Sequence, residues 1–117
     1  MSALDKAVAE LDAKRSKDDA ERRARQQAAA AFLKEFYDAD LAPSKALQAH
    51  GVQAVFDGKR IMLTKPEEGV YAEGMMIVVG EHGEIDVSGR SLGAVGTADK
   101  DTKKKELVGE IISHFSL

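Results

Sequence analysis

Cysteine and tryptophan are absent from the sequence, and only two prolines interrupt its 117 residues. Without thiols there are no disulfides, no Cys-ligated zinc or iron–sulfur centres and no cysteine catalysis. A small cysteine-free domain suits the cytosol. Aromatic residues are few, four Phe and two Tyr, and none is interleaved with the basic clusters as a base-stacking platform requires. No apolar run approaches the ~20 residues of a membrane span, and residues 1–6 lack the apolar core of a signal peptide. Neither sign of charge dominates: 17 basic against 20 acidic residues give −3, spread evenly, with no global pull toward nucleic acid or an anionic membrane. The expectation is a cytoplasmic, cofactor-free chain with one modest core.

Glycine is missing until residue 51, and that absence shapes the first third. From Ser2 to Asp38 nothing breaks a helix, and Ala, Glu, Lys, Arg and Gln fill it. Its two ends differ. Leu4, Val8 and Leu11 form a thin stripe among alanines, and the stretch from Lys14 to Asp19 has no apolar residue. Ala29, Phe32, Leu33 and Phe36 then fall at i, i+3, i+4 and i+7, the spacing of a buried face. A rod of thirty-odd residues is ~50 Å long against a domain ~30 Å across, so it must overhang. Asp18 and Asp19 would also serve as a fresh N-cap; a break there and a continuous rod are evenly matched. Residues 1–19 are read as a projecting or mobile helical segment and 20–117 as a single α+β domain.

Pro43 biases Ala42 away from helical angles and ends the first helix. A short helix follows, with proline near its first turn and Gly51 at the left-handed C-terminal position. Next come two hairpins. In Val52–Lys65, two alternating runs flank Asp57-Gly58, a type I′ turn signal, which sets Phe56 opposite Lys59, Ala54 opposite Ile61 and Val52 opposite Leu63. After a turn or loop at Pro66–Gly69, Val70–Glu73 lead into the apolar run Met75–Val79, with Gly74 offering a place for a bulge. A three-residue loop with Gly83 left-handed sets Val79 opposite Ile85 and Ile77 opposite Val87. Gly89–Gly96 reads as a glycine-rich connection. A last helix runs from Asp99 or Asp101 to Phe115, with Leu107, Val108, Ile111 and Phe115 as its buried stripe.

The expected fold is α+β: a long N-terminal helix, a short helix, a four-stranded antiparallel sheet of two hairpins, and a C-terminal helix packed on one sheet face. Ala54, Phe56, Ile61, Leu63, Met75, Ile77, Val79, Ile85 and Val87 would make the core face, with Val52. The other face would carry Val55, Met62, Met76 and Val78 among Gln53, Arg60, Thr64 and Asp86. That is more apolar than a solvated sheet face needs, so it is either covered by the overhanging helix or a loop, or it meets a partner. An exposed patch with two methionines suits an adaptable partner surface. The expected role is non-enzymatic protein–protein contact or homodimerisation through Val55, Met62, Met76 and Val78, with Leu4, Val8 and Leu11 on the rod.

Catalytic patterns are missing. No serine sits in a nucleophile elbow, and no carboxylate pair is spaced as an acid/base couple. His50, His82 and His114 have no metal-ligand spacing. Two other function classes remain on the sequence. Arg22, Arg23, Arg25 and the Lys103–Lys105 patch could contact nucleic acid, although acidic neighbours and the missing aromatics weigh against it. The Gly89–Gly96 loop joins a strand to a helix, where phosphate loops occur, and Gly93, Gly96, Lys103 and Lys104 are its candidate anion ligands. It lacks the Gly-Lys-Ser/Thr ending of a P-loop.

Overall fold

A computed structural model describes residues 2–66, 73–95 and 100–117. The first helix, α1, spans Ala3–Phe36 without a break. Its start is capped by Ser2, whose hydroxyl accepts from the Asp5 N–H at 3.1 Å, and the Asp18-Asp19 pair does not interrupt it. Propensity wins here: no residue from 3 to 36 is Gly or Pro, and a second cap would break several intrahelical bonds to gain one. At 1.5 Å per residue α1 is ~51 Å long, which gives the chain its 69 × 33 × 20 Å extents. Every residue from 2 to 21 is exposed.

The helix ends in a π-helical turn, Tyr37–Leu41, closed by the Ala42 N–H on the Tyr37 carbonyl at 2.8 Å. The wider turn buries Leu41 in the core. Tyr37 stacks on Phe56 with ring centres 5.8 Å apart, and its hydroxyl donates to the Ala54 carbonyl at 3.3 Å. Helix α2, Lys45–Ala49, is capped by Ser44, and Gly51 (φ 73°) turns the chain into the sheet.

The sheet has five strands, one more than the sequence suggests: β1 Gln53–Phe56, β2 Arg60–Lys65, β3 Glu73–Val79, β4 Glu84–Val87 and β5 Arg90–Ala94, in sequential antiparallel order. The extra strand occupies the stretch read as a glycine-rich connection. Ser88 (φ 49°) and Gly89 (φ 88°) form a tight turn with both central residues left-handed, the requirement of a type I′ hairpin. A register shift between Glu84 and Asp86, with Gly93 at φ 86°, marks a bulge that lets the strand continue.

The second hairpin has the expected register, Val79 opposite Ile85 and Ile77 opposite Val87, with Gly83 left-handed at φ 79°. The first is shifted. Phe56 faces Ile61 and Ala54 faces Leu63, so the turn centres on Gly58-Lys59 rather than Asp57-Gly58. The cause is the Asp57 side chain: its Oδ1 accepts from the Lys59 and Arg60 N–H groups at 3.3 and 3.1 Å, and its Oδ2 holds Arg60 Nε at 2.5 Å. A shift of two positions preserves which face each side chain takes. Gly74 pairs regularly with Thr64 and carries no bulge. Residues 67–72, on which most of the expected turn or loop at Pro66–Gly69 and the expected lead-in Val70–Glu73 fall, lie outside the described residues.

Both long helices cover the same sheet face. Ala29, Phe32, Leu33 and Phe36 of α1 and Leu107, Ile111 and Phe115 of α3 (Lys100–Phe115) share one buried cluster with Ile61, Leu63, Met75, Ile77, Ile85 and Val87. Val108, expected in the buried stripe, is exposed, and Lys103 is buried in its stead. The Lys103 stem runs under β5, and its ammonium donates to the Leu92 carbonyl and meets Glu106 at 3.2 Å. Arg90 and Glu110 form a second tie between β5 and α3.

Candidate functional site

Opposite the core, β1–β4 present rows of side chains fixed by the ladder. Val55, Met62 and Met76 stand in one row, and Arg60, Val78 and Asp86 in the next. Val55 and Met76 are 53% and 39% exposed; Met62 and Val78 are half-buried. No described helix lies over them, because α1, α2 and α3 all contribute to the cluster on the other face. The four residues singled out from alternation alone are thus brought together on one surface. Its edge is tied by Ser88, whose N–H donates to the Met76 carbonyl at 2.8 Å.

Charge on this face is sparse and placed. Arg60 sits on β2 and Asp86 on β4, with Val78 between them on β3; Glu84, also on β4, lies over Gly80 on the same face and accepts from the His82 N–H at 2.9 Å. The Arg60 side-chain hydrogen bond, helped by the Lys59 and Arg60 N–H groups, holds the Asp57 carboxyl below its ordinary range against an opposing desolvation. Asp86 has no ion pair among the described residues.

The α1 overhang is a separate surface. Leu4, Val8 and Leu11 are 73%, 47% and 51% exposed. Leu11 lies about five full turns before Ala29, so this stripe continues the helix face that packs on the sheet further along. The face changes occupant at the β3–β4 turn, where Gln26 donates to the Glu81 carbonyl at 2.7 Å and Arg22 reaches the Glu81 carboxylate at 3.4 Å. Beside this contact a groove of about 350 Å³ is lined by Arg23, Gln26, Ala30, Lys59, Val79 and Glu81.

Of the anion candidates, Lys103 lies beside Gly93, with its ammonium 3.9 Å from where a Gly93 Cβ would sit, but Lys103 and Lys104 are both already committed to protein oxygens. Lys103 is engaged by the Leu92 carbonyl and Glu106, and Lys104 stands between Glu35 and Asp40 at 3.8 and 3.9 Å. Gly93 sits at the β5 bulge, and Gly96 lies outside the described residues. Among the described residues no group of His, Asp and Glu is placed to hold a metal ion, and no helix is long and apolar enough to cross a membrane.

One surface was missed from sequence. Val108 and Ile112 are exposed on α3 and border a groove of about 160 Å³ against Leu41 and Leu47. The available signal was the width of the apolar arc on α3: two adjacent i, i+4 pairs cover more of the helix than one core contact can bury.

Comparison with known proteins gave no match: no family model, no curated protein and no solved structure is significantly similar to this chain.

Proposed function

We propose that this chain is a non-enzymatic protein–protein interaction module with an accessory, assembly or regulatory role in the cytoplasm. Its principal contact is the open sheet face, and the α1 overhang is the second. The observation that carries this reading is the position of Val55, Met62, Met76 and Val78 on a sheet face that no described helix covers. Full burial of such a side chain is worth ~1.5–3 kcal/mol. Two of the four are already half-buried, so the face offers a few kcal/mol, the scale of a reversible contact. Methionine adds adaptability, since its unbranched thioether repacks against different surfaces. Lys103 and Lys104, which would support an anion role and form part of the Lys103–Lys105 patch, already face protein oxygen atoms.

Site-specific photo-cross-linking in the native cell tests the reading. A photoreactive residue placed at position 76 or position 8 should give discrete adducts, and one at exposed Ser113 on α3 should give none. Equal labelling at all three positions, or none at 76 and 8, overturns it.

A further inference from the structure

The open sheet face is self-complementary about one line, the β3 strand. One row across the sheet reads Arg60, Val78, Asp86: cation on β2, apolar residue on β3, anion on β4. The neighbouring row places Met76 on β3 beside Met62 on β2. Arg60 is held at its Nε by Asp57 and its side chain is 49% exposed, which leaves its terminal N–H groups for a further acceptor. Asp86 is half-buried and lacks an ion pair among the described residues.

From this arrangement we infer that the open face pairs with the same face of a second copy, about a two-fold axis that runs along β3 between the two sheets. This rests on the interaction role proposed above and names its partner. Stacked sheets lie ~10 Å apart and neighbouring strands ~4.8 Å apart. Rotation about an axis along β3 carries each copy's β4 over the other's β2. Arg60 of each copy then faces Asp86 of the other, twice by symmetry, while Met76 meets Met76 and Val78 meets Val78 on the axis. The alternative in-plane axis, across the strands through the same row, stacks Arg60 on Arg60 and Asp86 on Asp86. Like charges in contact are costly at an interface, so the charge pattern favours the axis along β3 over that one. An isologous contact of this kind closes after two copies, and aligned sheets accommodate their mutual twist at about −30°.

Size sets its strength. Five strands at ~4.8 Å spacing and seven residues of β3 at ~3.3 Å each give a face of roughly 19 by 23 Å. That is on the order of 400 Å² per copy in projection, or about 800 Å² for the pair, below the ~1,200–2,000 Å² total of standard stable interfaces. The dimer is therefore weak and concentration-dependent.

Sedimentation of the full chain over a wide concentration range is the first measurement. Self-association should weaken at least tenfold in Arg60→Glu and in Asp86→Lys, and the double exchange should recover most of it, with circular dichroism confirming that each variant is folded. Because Arg60 also braces the β1–β2 turn, a second readout avoids it. In this cysteine-free chain, Met76→Cys places two thiols across the axis, too far apart for a disulfide at ~10 Å between backbones but within reach of a short bis-maleimide. Cross-linked dimer should form from Met76→Cys and not from Ser113→Cys. A chain that stays monomeric at every concentration overturns the pairing. So does a dimer that cross-links through Val8→Cys or Ser113→Cys and not through Met76→Cys. If position 76 captures a different protein in cells while the chain stays monomeric, self-pairing fails and the interaction role stands.

Discussion

Gly83 lies directly against Arg25: a Cβ added to the glycine would sit 2.6 Å from the Arg25 Cβ and 2.9 Å from its carbonyl oxygen. The β3–β4 turn is therefore pressed onto α1 backbone, and Gly83 also holds a left-handed φ of 79°. Both requirements exclude a side chain. Gly83→Ala should lose ~1–2 kcal/mol to the left-handed conformation and more to the displaced helix contact. Urea unfolding measures it. A loss under ~0.5 kcal/mol, the range of ordinary surface changes, would show that turn and helix are not closely packed.

Lys103 gives a second prediction. Its ammonium is the donor to the Leu92 carbonyl beside the β5 bulge, and its stem is buried under the strand. Lys103→Met keeps most of the packing and leaves the carbonyl without this donor, at a cost of ~1–3 kcal/mol. Hydrogen exchange should quicken in β5 and in the first turn of α3 before it changes in β2 or β3. Uniform quickening across the sheet would mean that Lys103 acts on global stability and not as a local tie.

These two residues also mark what the sequence could and could not tell. Gly83 was legible because turn chemistry and the apolar alternation of Val79, Ile77, Ile85 and Val87 agree on one register. The β1–β2 face was legible too, but its register was displaced by Asp57, whose side chain takes the hydrogen bonds expected of a backbone turn. Nothing in Arg90–Ala94 announces a strand: Leu92 is its only large apolar residue and Gly93 interrupts it. That edge strand exists because Ser88-Gly89 folds it back and Lys103 and Glu110 hold it, which are tertiary causes. The same split holds for the candidate surface. Alternation put Val55, Met62, Met76 and Val78 on one face, whereas the exposure of Val108 and Ile112 depends on how α3 is rotated against the core.

Acid titration tests the β1–β2 turn. The Arg60 guanidinium and two N–H groups lower the Asp57 pKa. A carboxyl depressed in the folded state contributes stability that is present above the unfolded value, ~3.9, and lost as pH falls through the folded one. NMR titration should find Asp57 below the ordinary carboxylate value, and Arg60→Gln should raise it toward that value. The effect on stability is small, because the carboxylate is exposed to solvent and screened. An Asp57 that titrates at the ordinary value in the unaltered chain would remove the reason given for the shifted register.

Truncation separates the overhang from the fold. Residues 2–21 are exposed throughout, while the α1 contribution to the core begins at Ala29 and ends at Phe36. A chain that starts at residue 20 keeps Arg22 and Gln26 on the β3–β4 turn and loses no buried side chain. Its unfolding free energy should stay within ~0.5 kcal/mol of the full chain, the range for surface changes, although Leu4, Val8 and Leu11 are gone. Leu33→Ala, on the same helix but at a position with no exposure, should cost ~2–5 kcal/mol. The contrast matters for function: if the truncated chain is as stable as the full one, the apolar stripe on the overhang has no role in holding this fold together. A large loss of stability on truncation would instead place those three residues in the fold and withdraw them from the partner surface.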